Sequence, residues 1–132
     1  MRPPCEIVQR DFLPVVRTFV ARYLRKEGFS QTEIASRMDL TQAAVSKYLN
    51  QPVTKTRLAV EIEHLSENLT GMLKTGEATA DQIVRELCST CMKSRIGSTL
   101  CEMHQKKVPS LKAANCQVCS KLLGGRNANL AE

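Results

Sequence analysis

From Phe12 to Leu24 the apolar residues Phe12, Leu13, Val16, Phe19, Val20, Tyr23 and Leu24 recur at helical spacing and predict a first helix with one buried face. Pro14 suits that helix's first turn, where its missing N–H is not needed, and Gly28 suits its C-terminal cap. The next stretch, "FSQTEIASRM", carries a complete helix start. Ser30 can cap, Glu33 stands three residues on, and Phe29 and Ile34 form a hydrophobic staple. Ile34, Ala35 and Met38 are expected to face inward. The arrangement recurs with Leu40 before Thr41 as cap and Val45 as staple partner, and Val45, Tyr48 and Leu49 form the buried side of a third helix.

After the loop "NQPVTKT", Leu58, Ile62, Leu65, Leu69 and Met72 are spaced four, three, four, three, which is a heptad seam about two heptads long. The seam predicts a dimerisation helix, although the same stripe can pack on the first helix within one chain. His64 lies off it and is expected to be exposed. A further helix follows, with Thr79 and Gln82 as capping box and Ile83, Val84 and Leu87 at helical spacing. The pattern predicts an all-α chain: a DNA-binding domain over 1–55, a dimerisation helix over 56–75 and a cysteine-rich metal-binding segment over 76–132.

The paired helices resemble the helix–turn–helix of the Cro and lambda-repressor-like regulators. Gln31 at the start, Ala35 where the helices touch, Leu40 after the turn and "AVSKYL" over 44–49 carry the likeness. Asp39 stands where that class usually has Gly, and Asp tolerates the left-handed backbone better than most residues. The resemblance implies that the second helix enters the major groove of double-stranded DNA. The implied DNA-binding residues are then Gln31, Thr41, Gln42, Ala43, Ser46, Lys47 and Asn50. Gln42 can pair bidentately with adenine, Asn50 can do so or reach phosphate, Ser46 can donate to a base, and Ala43 can touch a thymine methyl. Lys47, with Arg37 and Lys55 nearby, suits phosphate. Regulators of this class read two half-sites as homodimers.

Charge sharpens the picture. The net +6 divides into +5 over residues 1–60, −4 over 61–87 and +5 over 88–132, so a basic N-terminal third suited to phosphate is followed by an acidic helix expected to face away from DNA. Aromatics are 4% with no Trp, which argues against stacking on single-stranded bases. No apolar run reaches the roughly 18 residues of a membrane span, and the N-terminus lacks the apolar centre of a secretion signal. A cytoplasmic protein without membrane partner is expected. No nucleophile–base pair or phosphate-binding glycine loop suggests a small-molecule substrate or an enzyme.

In a reducing compartment, five cysteines within 32 residues, Cys88, Cys91, Cys101, Cys116 and Cys119, point to metal or redox use. Cys88 and Cys91 fall one above the other on a helix face. Packed core thiols or disulfides explain so dense a set poorly, and a thiol–disulfide switch leaves one Cys-x-x-Cys pair without a role. Zinc and an iron–sulfur cluster both suit thiolates. The end pairs are separated by 24 residues, beyond the usual zinc-ribbon range, and there is one cysteine too many for a single zinc. His104 is a possible substitute ligand. Cys5, far off in sequence, is expected to be a packed thiol, with a ligand role as the alternative.

The "PPCE" opening, the core "FSQTEIASRMDLTQAAVSKYLN" and the tail with "LCSTC", "LCEMH" and "CQVC" together resemble a family of short, mostly archaeal regulators with a Cro-like motif and a cysteine-rich tail. The resemblance implies an iron–sulfur cluster, four-iron in type, bound by the tail. The expected function is a DNA-binding transcription regulator sensing redox or iron–sulfur status, with a structural zinc or a thiol–disulfide switch as alternatives.

Overall fold

The computed structural model describes residues 2–53, 55–96 and 98–122. Thr54 of the predicted loop and the last ten residues of the cysteine-rich segment lie outside them. The described residues are helical and contain no strand, which agrees with the all-α expectation. The order is α1 (Pro4–Ile7), a π-helical turn (Val8–Phe12), α2 (Leu13–Lys26), α3 (Gln31–Met38), α4 (Gln42–Asn50), α5 (Arg57–Thr75), α6 (Ala80–Arg95), α7 (Thr99–Lys107) and α8 (Pro109–Ala113). Residues 118–122 are also helical.

The first helix begins earlier than its apolar pattern predicts. Backbone from Pro4 to Lys26 is helical throughout, so Pro14 sits inside a helical run rather than at its start. A proline there clashes with the carbonyl four residues back. The wider π turn ends two residues before Pro14, and the Leu13 amide closes that turn by bonding the Val8 carbonyl. Such single turns commonly absorb a break in the regular ladder. Ile7, Val8 and Phe12 are buried along this extension, which is why the chain continues as helix.

Local signals elsewhere form as the residues dictate. The Ser30 hydroxyl accepts from the Glu33 amide at 3.2 Å, and the Glu33 carboxylate accepts from the Ser30 amide at 3.1 Å. Thr41 accepts from the Ala44 amide at 3.1 Å. Asp39 adopts φ 53° and ψ 48°, the left-handed turn conformation between α3 and α4. Thr79 and Gln82 form the expected capping box, with the Thr79 amide donating to Gln82 Oε1 at 3.0 Å, and the Thr79 hydroxyl also donates to Asp81.

The predicted dimer seam has a different partner. Leu58, Ile62, Leu65 and Leu69 are buried in a core shared with Val16, Val20 and Leu24 of α2, and Met72 packs against its edge. The seam is thus satisfied within one chain by α2 and offers no free stripe to a second copy. The same cluster takes in Ile7, Ile34, Val45, Cys91 and Leu100: α3, α4, α6 and α7 rest on the α2–α5 pair, and α1 packs on the π turn and α7.

Arg37 also departs from expectation. Its Nη1 donates to the carbonyls of Leu73 at 2.6 Å and Lys74 at 3.3 Å, and its guanidinium lies 4.8 Å from the centre of the Phe29 ring. The last carbonyls of a helix lack intrahelical donors and carry negative dipole charge, so an arginine settles there readily. It ties α3 to the end of α5 and is not turned towards a phosphate. Gly76 follows with φ +69°, and a Cβ there would meet Arg37 Nη1 at 3.2 Å.

Candidate functional site

Two regions bring the predicted site residues together. The first is the outer face of α4. Val45 is fully buried and Tyr48 and Leu49 half-buried, which fixes the helix on α2 and turns its other side outward. On that side Thr41, Gln42, Ala43, Lys47 and Asn50 are exposed and Ser46 is half-exposed. Gln31, half-exposed at the start of α3, belongs to the neighbouring helix. No acidic residue stands in α4's first turn, so nothing on the helix opposes an incoming anion there.

Two arginines that the sequence pattern did not single out complete this region. Arg17 Nη1 donates to the Tyr48 hydroxyl at 3.4 Å, and Arg22 donates to the Gln51 carbonyl. Both come from α2 and place cationic groups beside the C-terminal end of α4. Their position 29 to 31 residues away in sequence explains why no local motif reveals them.

The second region lies among α1, α6, α7 and the segment after α8. A cleft of about 340 Å³ is lined by Pro4, Arg95, Cys101, His104, Cys116 and Cys119, among others. Cys116 and Cys119 reach it from the chain after α8. Cys101 reaches it from α7, where Gln105 Nε2 contacts its sulfur at 3.7 Å. Cys91, on α6, is buried and belongs to the core cluster. Cys88, one turn earlier on the same helix, is exposed and does not line the cleft. All six sulfurs are free thiols.

Arg95 stands at the wall of this cleft. Its Nη2 lies 3.5 Å from Cys5 Sγ, so the thiol expected to be packed is instead exposed and in contact with a cation from the tail. Arg95 Nε is buried and finds no acceptor among the described residues, a rare condition for a donor. Burial pushes the Cys91 and Cys119 thiols above the ordinary value, while the Arg95 charge pulls both back. Burial also works against the charge on Arg95, yet the neighbouring Cys91 and Cys5 outweigh it and hold the guanidinium more firmly protonated than usual. His104 is half-buried, and its Nε2 donates to the Arg2 carbonyl at 2.6 Å. A ring nitrogen facing a carbonyl must carry the proton, so this histidine tethers the N-terminus.

The donor chemistry of the cleft suits a thiolate-bound metal centre: soft sulfur ligands, a cation to balance negative charge and an unsatisfied N–H. Among the described residues, no three His, Cys, Asp or Glu side chains are gathered to hold a single ion. A tetrahedral zinc with arms of about 2.3 Å would need its sulfurs about 3.8 Å apart. No protein-family model, curated protein or solved structure matches this chain.

Proposed function

We propose that this chain is a sequence-specific DNA-binding transcription regulator whose cysteine cleft binds an iron–sulfur cluster and reports redox or iron–sulfur status. The observation that carries the first half is α4. Its apolar side is spent on the core, while Thr41, Gln42, Ala43, Lys47 and Asn50 stand on one exposed face. In this reading α3 and α4 act as a helix–turn–helix, with α4 in the major groove and Arg22 and Lys47 meeting phosphate. Lys55 joins them from the following loop.

Support for a cluster over zinc comes from the number of thiols, since the five tail cysteines are one more than a single zinc ion takes. The protein acts as a homodimer on two half-sites in this reading, using a surface other than the α5 seam.

The test is selection from a random duplex library, followed by titration of the selected site by fluorescence anisotropy. Gln42→Ala is expected to relax preference at one base pair, at a cost of about 1–3 kcal/mol. Lys47→Ala is expected to weaken all sequences alike and reduce the salt slope by about 1. Anaerobic protein should contain iron and acid-labile sulfide. Failure to select any sequence would end the DNA-binding reading, and one zinc per chain without sulfide would end the cluster reading.

A further inference from the structure

The tail does not fold back on itself alone; it closes against the first residues of the chain. Pro4 lines the cysteine cleft. Arg95 Nη2 contacts Cys5 Sγ at 3.5 Å across 90 residues of sequence. His104 Nε2 bonds the Arg2 carbonyl at 2.6 Å across 102. Helix α1 packs directly on α7, the helix that carries Cys101. Three separate contacts therefore hold the N-terminal turn over the cleft.

The six thiols are not equivalent. Cys101, Cys116 and Cys119 line the cleft. Cys91 is 8% exposed and packs in the hydrophobic core, with its sulfur beside Arg95 on the same helix. Cys88 is exposed outside the cleft. Cys5 is exposed and does not itself line the cleft, but its sulfur lies 3.5 Å from the Nη2 of Arg95, which does.

We infer that Cys5 supplies the fourth thiolate of the metal centre, with Cys101, Cys116 and Cys119, so that the centre staples the N-terminal helix to the tail. The inference rests on the metal-centre reading above. It changes the route of signalling. The helical run that begins beside Cys5 continues through the π turn into α2, and α2 supports α4 through the Arg17–Tyr48 and Arg22–Gln51 contacts. A centre bound by Cys5 restrains this run at its first turn. Loss of the centre releases that turn and loosens α2, with α4 resting on it. Arg95 remains beside the ligand sulfurs and balances their negative charge, and an anionic centre supplies the acceptor that its buried Nε lacks.

The experiment compares wild type, Cys5→Ser and Cys88→Ser, each the full chain purified without oxygen, by iron, sulfide and zinc per chain and by the rate of bleaching in air. Hydrogen exchange over residues 2–12 is read on each before and after chelation. Wild type and Cys88→Ser are expected to carry equal metal. Cys5→Ser is expected to lose the metal or to bleach at least tenfold faster, with its far-ultraviolet circular dichroism unchanged. Chelation should deprotect residues 2–12 in wild type, whereas Cys5→Ser should show the deprotected pattern from the outset. If Cys5→Ser loads, bleaches and exchanges like wild type, Cys5 is no ligand and the metal-centre reading survives. Wild type devoid of metal and sulfide would overturn both. Should Cys5→Ser lose its circular dichroism signal, exchange in wild type decides: equal protection with and without metal overturns the inference.

Discussion

Replacing Leu65 by Ala separates two roles for the α5 seam. Leu65 is 2% exposed and lies in the core that α5 shares with α2. Truncating such a leucine removes its transfer free energy and leaves a cavity that neighbours fill only in part, at a cost of about 3 kcal/mol within a range of about 2–5. For a chain of this length each kcal/mol lowers the melting temperature by about 3–5 °C, so a fall of about 9–15 °C is expected. Because the core lies inside one chain, that fall should be the same at two protein concentrations roughly twentyfold apart. A seam buried between two copies would behave otherwise, since unfolding coupled to dissociation makes the melting temperature rise with concentration. Circular dichroism melts of wild type, Leu65→Ala and Val60→Ala measure this directly. Val60, 66% exposed on the opposite side of α5, should change stability by no more than about 0.5 kcal/mol. The in-chain assignment fails if the Leu65→Ala loss depends on concentration, or if it is no larger than the Val60→Ala loss.

Three further outcomes follow from contacts described above. Arg37→Ala should cost about 1–2 kcal/mol, because two carbonyls at the end of α5 lose a charged donor and Phe29 loses its cation. Its salt slope on DNA should stay unchanged, and a slope lowered by about 1 would restore Arg37 to the phosphate-binding set. Asp39→Gly should be neutral or stabilise by up to about 1 kcal/mol, since φ 53° strains a residue with a Cβ while Gly gains entropy in the unfolded chain; a loss above about 1 kcal/mol by urea titration would show that the Asp side chain itself holds the turn. The Lys74 hydrogen bond and charge hold Glu27 below the ordinary 4.5, with Nζ and Oε2 2.8 Å apart. A lowered carboxylate stabilises above its unfolded value and loses that contribution as pH falls through the folded one. The stability gap between wild type and Lys74→Met should therefore be small, sensitive to salt, and closed by acidification below 4.5, and a gap that widens in acid would reverse the assignment.

What the sequence made legible follows the range of each interaction. The Ser30–Glu33 box, the Thr41 cap and the left-handed Asp39 turn are settled within four residues, and they stand where the residue types put them. The α5 stripe was legible as an apolar face, but periodicity carries no record of which face covers it, and α2 lies more than 30 residues upstream. The helical extension before Pro14 was hidden because a proline reads as a helix start unless a π turn precedes it. Arg37 looked like one more cation near α4, and the helix end it serves lies 36 residues further on. The cysteine cleft shows both limits together. Spacing gathered the tail thiols, yet it could not distinguish the core-packed Cys91 from the cleft-lining Cys101, nor bring Cys5 to Arg95. That last contact matters most for the proposed mechanism. A tail binding its centre alone could act on α4 through the α5–α2 core, which is closely packed and costly to move, or through the non-covalent packing of α7 on α1. A centre that also grips α1 acts at the exposed end of the helical run leading to α2, where local unfolding is cheapest. Coupling through the end of a helix asks for far less rearrangement than coupling through the core beneath it.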